Sequence, residues 1–498
     1  MLSSKILHIT ESLSGFYPEL SLIFGIITLM LIGLFKPDFV RNYGHFLVNS
    51  LLIITIILEL NQYIACADSD TFLFLSMIKI SNLSIILRIL LTLGTYVMIQ
   101  YTGLSKSLKN YQEYVNMEFY VLVLSLLLGA NMMILSNNFL MLFISIEFIS
   151  LVSYTLVTFS SDQRFTREAA MKYFVFGATT AAIMAYGISW IYTYTNSLSY
   201  YSITTFLFEN GNNSVPTLFW AGVLMTSVGL LFKLSIVPFH FWTPDVYQGS
   251  SYKVASLFAY VPKVAAIGVF MIFFEIQYFH VSDVLKNMIA VLAIVTMLIG
   301  NLGALRQTDI KRLLAYSSIA QSGFVIVGLL SSNTSIGLES MTFYLFIYVF
   351  LNFTTFIAID WLGEVTKSTE IKSFAGLSKT FPLFSFLITL AMIGLVGLPP
   401  TVGFSAKFMI LQALMLSEGF SKDPLLVTVF IVAVFTAVLS LFYYLKLPYF
   451  LYIKEFSIKK ELKISYAHKI FIVLVSIPII LGFIAWSLVL DIINMFVA

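Results

Sequence analysis

Fourteen mainly apolar stretches follow one another along this chain with short polar breaks between them, each within or above the range of about 17–25 residues with which a helix crosses a bilayer. They fall near 18–35, 46–64, 81–101, 117–135, 139–158, 169–192, 217–248, 254–274, 287–304, 313–331, 340–361, 382–416, 425–445 and 470–490. Of 498 residues 59% are apolar and 11% charged, a balance outside the range of soluble domains. The runs are continuous rather than alternating, which excludes a β-barrel. The sequence therefore predicts an all-α polytopic membrane protein, one integral domain over 1–498.

Two spans, 217–248 and 382–416, are too long for one straight crossing and carry proline inside: Pro238 in the seventh, Pro399 and Pro400 in the twelfth. Proline removes a backbone donor and clashes with the turn before it, so both read as discontinuous helices. In a membrane such breaks survive only where the freed backbone faces protein or a water-filled cavity. The breaks lie five spans apart, as expected of two five-helix repeats, 117–274 and 287–445. An odd repeat length makes one inverted relative to the other. Three N-terminal helices (1–116) and a C-terminal helix (470–498) flank them.

Of the 28 lysines and arginines, 19 fall in the loops after odd-numbered spans and four in the loops on the other side. The positive-inside rule puts the first set toward the matrix or cytoplasm and both termini outside. The net charge of +3 is spread along these loops, so nucleic-acid binding has no basic patch to use. The densest run, Lys454 to Lys469, reads as a topogenic or headgroup-facing loop. The single cysteine, Cys66, can form neither an internal disulfide nor an iron–sulfur site. Residues 1–17 lack a basic segment followed by a cleavage site, and no removable signal peptide is expected.

Against this background Glu147, Lys233, Lys263 and Lys407 stand deep inside apolar spans. A charge at the bilayer centre costs about 2.5–3.5 kcal/mol even on the insertion scale, which marks all four as functional candidates. Glu147 and Lys263 are nine to ten residues into their spans, near mid-membrane. The four can form a row along the membrane plane, suited to passing protons sideways. A buried Lys–Glu pair can be switched by moving one charge, with water in a broken-helix cavity as the proton wire. Driving a charge against a potential costs about 2.3 kcal/mol per 100 mV, and no nucleotide-binding motif is visible to supply it.

Each residue also has a structural reading. Glu147 can be a carboxylate paired to a lysine, Lys233 can snorkel, Lys263 can be the counter-charge of a kink at Pro262, and Lys407 can bond orphan carbonyls at the break. Lys172, near the inner end of its span, either snorkels or modulates Glu147. His240, beside Pro238, is either a water-wire member or a satisfied histidine of the break. Arg88, outside both repeats, reads as a structural pair.

The segments Phe232-Lys-Leu-Ser-Ile-Val-Pro-Phe-His-Phe-Trp-Thr-Pro-Asp-Val-Tyr-Gln-Gly-Ser250 and Tyr260-Val-Pro-Lys263 resemble the signature of the antiporter-like subunits of respiratory complex I. Residues 307–324 and Gly397-Leu-Pro-Pro-Thr-Val-Gly-Phe-Ser-Ala-Lys-Phe408 match the same family. Phe143-Ile-Ser-Ile-Glu-Phe148 and Glu168-Ala-Ala-Met-Lys-Tyr-Phe-Val-Phe-Gly177 resemble its subunit-N branch, subunit 2 in mitochondria. The resemblance implies proton translocation driven by NADH oxidation and quinone reduction elsewhere in a larger complex. It makes Glu147 the modulator of Lys233, Lys263 the connecting lysine and Lys407 the lysine toward the outer exit. It implies no cofactor in this chain; NADH, FMN, iron–sulfur clusters and quinone belong to partner subunits. Other membrane-arm subunits, protons, water and membrane lipids, cardiolipin among them, are the implied partners.

Two positions depart from the family pattern: Gln321 stands where many relatives have histidine, and Gln248 where many have glutamate. A cation/proton antiporter subunit and a purely structural anchor are the alternative functions. Low alanine use against 47 phenylalanines and 27 tyrosines suggests an AT-rich genome, hence the mitochondrial inner membrane, with a bacterial plasma membrane as the alternative.

Overall fold

Without water to satisfy it, backbone in a bilayer must bond to itself, and the computed structural model of this chain is almost wholly helical. The structure describes residues 10–66, 70–105, 117–159, 164–275, 283–331, 334–417, 419–454 and 465–497. Most of the basic run from Lys454 to Lys469 lies outside them. Among the described residues thirteen helices are long and apolar enough to span a membrane, and each overlaps one of the fourteen expected segments. The remaining one, the twelfth, is present as two shorter apolar helices.

The chain divides into two compact units. The first holds residues 1–106, 112–234 and 261–283. Its helices are α1 (Tyr17–Phe35), α2 (Pro37–Cys66), α3 (Asn82–Ser105), α4 (Met117–Leu135), α5 (Phe139–Phe159), α6 (Arg164–Thr195), α7 (Tyr200–Ser214) and α8 (Thr217–Leu234). An addition to the all-α expectation is an antiparallel hairpin between α2 and α3, Thr71–Leu73 paired with Ile78–Ile80. Its turn takes Phe74, Leu75 and Ser76 to positive φ and is held by Asn137, whose Nδ2 donates to the Ser76 carbonyl at 3.0 Å. Backbone contact brings α6 and α8 closest. A Cβ on Gly187 would lie 2.5 Å from the Thr226 nitrogen and 2.7 Å from the Gly222 carbonyl, so small residues set this approach.

The second unit holds the described residues of 235–260 and 284–498. Its helices are α9 (Trp242–Gly249), the start of α10 (Tyr252–Glu275), α11 (Asp283–Leu305), α12 (Ile310–Val325), α13 (Thr334–Thr366), α14 (Pro382–Val396), α15 (Val402–Met415), α16 (Pro424–Tyr444), α17 (Lys446–Tyr452), α18 (Tyr466–Ile484) and α19 (Trp486–Val497). The long α13 is the central post against which α14, α15, α18 and α19 pack.

Both expected breaks are present. In the seventh span α8 stops at Leu234, Ser235 takes φ +61°, and α9 restarts at Trp242. The freed Val237 N–H donates to Thr296 Oγ1 at 3.1 Å, and Thr243 Oγ1 donates to Ser235 Oγ at 2.7 Å, so protein groups replace the lost helical bonds. In the twelfth, Gly397 ends α14 at φ +86°, its N–H bonding back to the Ile393 carbonyl at 3.0 Å. Gly403 is held close on the far side of this break: a Cβ there would sit 1.9 Å from the Gly394 carbonyl oxygen.

Candidate functional site

In the first unit, the last turn of α8 carries Lys233 into a pocket where it is 1% exposed. Its ammonium makes no hydrogen bond among the described residues. Nζ instead lies 5.6 Å from the centre of the Tyr173 ring on α6 and 5.8 Å from that of Phe232, and these two rings lie against each other. A lysine head surrounded by ring and aliphatic carbon is sensitive to any nearby charge, because little screens it. The carboxylate that acts on it is Glu147, half-buried on α5, and Lys233 is in turn the charge that acts on Glu147. The structure thus brings these two candidates into one electrostatic unit.

Lys172 goes elsewhere. Its Nζ is 2.9 Å from Glu168 Oε1, one helical turn back on α6, with both side chains substantially exposed. Lys263 lies on α10 one residue past Pro262, inside a helix that continues through the proline, and is 3% exposed.

In the second unit, Lys407 on α15 reaches back across the broken span. Its Nζ donates to the carbonyls of Leu395 at 2.8 Å and Val396 at 3.0 Å, the last acceptors of α14. The stem crosses Gly397, where an added Cβ would meet Lys407 Cδ at 2.8 Å. The capping role that sequence left open for Lys407 is therefore present in the structure. Gln321 on α12 shares the same acceptor: its Nε2 donates to the Leu395 carbonyl at 2.9 Å and to Tyr444 Oη at 3.0 Å, and its Oε1 accepts from Tyr344 Oη at 2.6 Å. Tyr444 bonds on to Ser317. A cavity of about 10 Å³, room for one water, opens between Lys407, Gln321, Phe324, Asn301, Ser440 and Tyr443. Asn301 Oδ1, buried beside it, has no partner within the chain.

His240 is buried in the first break, its ring against Phe241 and its Nδ1 without a hydrogen bond. Gln248 keeps a partner despite lacking charge: Arg312 donates from one Nη to Asp245 at 2.8 Å and to Gln248 Oε1 at 3.0 Å.

Sequence reading missed several groups. Tyr344 and Tyr444 complete the hydrogen-bonding shell of Gln321, and aromatic abundance hid them. Glu59 and Glu19, which flank Arg88 in the first three helices, are each 0% exposed. The signal that picked out Glu147, a carboxylate inside an apolar run, was present for Glu59 too.

Residues 136–440 match the family described as NADH:quinone oxidoreductase/Mrp antiporter, TM. The chain belongs to that family. Relatives named NADH-quinone oxidoreductase subunit N include one from Pelagibacter ubique, 34% identical over 438 residues, covering 88% of this chain and 89% of the relative. Another, from Herminiimonas arsenicoxydans, is 34% identical over 463 residues and covers 90% of each. Among solved structures, a chain of respiratory complex I from Thermus thermophilus superposes with TM-score 0.75 at 26% identity, over 95% of this chain and 98% of that one. A chain of an Mrp complex from Dietzia sp. shares the fold, with TM-score 0.78 at 18% identity over 97% of each. These family members are prokaryotic, and within the family this chain is a multi-pass membrane protein.

Proposed function

We propose that the chain is the subunit-N-type membrane subunit of an NADH:quinone oxidoreductase, translocating protons in response to redox chemistry that its partner subunits perform. In this reading Glu147 and Lys233 form the switching pair, Lys263 connects them onward, and Lys407 is the group toward the outer exit. NADH, FMN, iron–sulfur clusters and quinone are bound by those partners. The observation that carries the reading is Lys233: fully buried, hydrogen-bonded to nothing among the described residues, and answering to the carboxylate of Glu147. A structural lysine has its donors satisfied; one held bare has its charge set by whatever happens at its partner.

Lys407 is held differently. The Leu395 carbonyl that it shares with Gln321 only accepts, but the one-water cavity lined by both side chains has room for a water that links them, and that link needs no titratable side chain at 321. The proposed setting is the mitochondrial inner membrane, suggested by composition, with both termini toward the intermembrane space and lipid, including cardiolipin, around the spans. The prokaryotic relatives support the coarser statement of an energy-coupling membrane.

The test is Lys233→Ala in the assembled complex. Proton pumping and coupled quinone reduction should fall by roughly tenfold or more while the complex still assembles. Undiminished pumping in an assembled Lys233→Ala complex would overturn the reading.

A further inference from the structure

Far from these lysines in sequence, the first three helices and α4 bury a second set of charges. Glu19 on α1, Glu59 and Gln62 on α2, Arg88 and Thr92 on α3 and Asn131 on α4 are each exposed by 1% or less. Arg88 donates to Glu19 Oε1 at 2.7 Å, to Gln62 Oε1 and to the Ser84 carbonyl. Glu19 is thus the counter-ion of the guanidinium. Glu59 receives the Thr92 hydroxyl, at 3.3 Å, and its Oε2 has no partner among the described residues. Asn131 lies close enough to act on Glu59, although neither of its side-chain polar atoms reaches full hydrogen-bonding geometry with any described residue.

Counting charge decides what this set must hold. Arginine does not deprotonate in a protein, so two ionised carboxylates around one guanidinium leave a net negative charge in a dry interior. An unpaired buried carboxylate costs several kcal/mol, and the ordinary outcome is that it takes up a compensating cation. Arg88 and Glu19 are the charged groups that act on Glu59 from the helices around it, and Arg88 is already committed to Glu19. Among the described residues no group of three or more His, Cys, Asp or Glu could hold a metal ion, and the guanidinium would repel one. A proton needs no coordination shell. Placed on Glu59, it removes the uncompensated charge and gives the carboxyl a donor to offer the neighbouring Asn131 side chain.

We propose that the N-terminal helices contain a proton-binding site of their own, in which Glu59 is a carboxylic acid locked beside the Arg88–Glu19 ion pair and hydrogen-bonded to Asn131. The proton resides on whichever carboxylate Arg88 leaves, which makes the set a two-state element outside the lysine line. The chain's assignment as a pump is not needed for this inference.

The experiment is infrared difference spectroscopy of the assembled complex at neutral pH, in the carbonyl region occupied by protonated carboxylic acids. Wild type minus Glu59→Gln should show one acid carbonyl band, equivalent to one proton per complex. Because a neutral amide replaces a neutral acid, Glu59→Gln should also assemble normally. Glu19→Gln should lose the same band, since Arg88 then draws Glu59 into ionised pairing. Coincident wild-type and Glu59→Gln spectra, a band that survives in Glu19→Gln, or failure of Glu59→Gln to assemble would each overturn the proposal.

Discussion

Lys233 and Lys407 look alike in sequence, each a lone cation beside a proline break, yet their surroundings separate them. Lys233 has aromatic faces and a carboxylate acting at a distance; Lys407 has two carbonyl oxygens within 3.0 Å. Replacing each with methionine, which keeps the stem, should therefore give different outcomes. Lys233→Met removes a buried charge that has no hydrogen bonds, so thermal stability of the assembled complex should hold while pumping is lost. Lys407→Met leaves the Leu395 carbonyl with Gln321 but takes the lysine donor from the Val396 carbonyl, and should lower stability as well, by about 1–3 kcal/mol for a buried acceptor left unmade. Equal melting temperatures for the two variants would refute the distinction. Sequence located both lysines because charge in an apolar run is costly wherever it sits. It could not tell a capped lysine from a bare one, since the acceptors are backbone carbonyls that exist only once α14 has stopped at Gly397. The same blindness hid the partners of Arg88: Glu19 sits at the head of its span, and which carboxylates meet a given arginine is settled by helix packing.

At the scale of elements, every apolar run was legible and proline marked both broken spans, but helix ends were not: α2 begins at Pro37 where the run begins near 46, and α13 covers Thr334–Thr366 where the run covers 340–361. What sequence did not reveal were elements set by non-local contacts, such as the hairpin at 71–80 pinned by Asn137, or the short α9. The start of α16 shows how a loop residue can do two jobs. Asp423 Oδ1 accepts the Leu425 N–H at 3.0 Å ahead of Pro424, and Oδ2 pairs with Lys286 of α11 at 2.7 Å. The hydrogen bond from Lys286 is the main reason that the Asp423 carboxyl is held below the usual carboxylate value. A depressed value means that the folded state favours the ionised form. Its stabilisation is then present above the ordinary carboxylate range and disappears as pH falls through the depressed value. Asp423→Asn keeps the cap and loses the ion pair, a change of roughly 0–1 kcal/mol for a partly exposed pair. Asp423→Ala loses both and should cost about 1 kcal/mol more. Melting of the purified complex should show both gaps at neutral pH, and the Asn gap should close on acidification. An Asn gap that widened in acid would reverse the sign argued here.

For the whole molecule, orientation rests on loop charge, and the helix boundaries sharpen it. Lys367, Lys372 and Lys379 lie in the connection from α13 to α14, whereas that from α15 to α16 carries the single basic residue Lys422. These connections flank the broken twelfth span, so if α14 and α15 together make one crossing they must lie on opposite faces. The positive-inside rule puts the first toward the matrix or cytoplasm. With Cys66 the sole cysteine, a Cys66→Ser background permits a direct measurement. Glu370 and Ser421 are both exposed, so Glu370→Cys and Ser421→Cys present thiols on the two connections. In sealed vesicles of known sidedness, an impermeant thiol reagent should label Glu370→Cys only from the inner face and Ser421→Cys only from the outer. Labelling of both from one side would mean that α14 and α15 form a re-entrant pair rather than a crossing. Every span after them would then invert, and the 19-to-four division of basic residues would no longer separate the two faces. Opposite labelling instead fixes the direction in which α14 and α15 cross, and with it the side of the break on which α15 and its Lys407 lie.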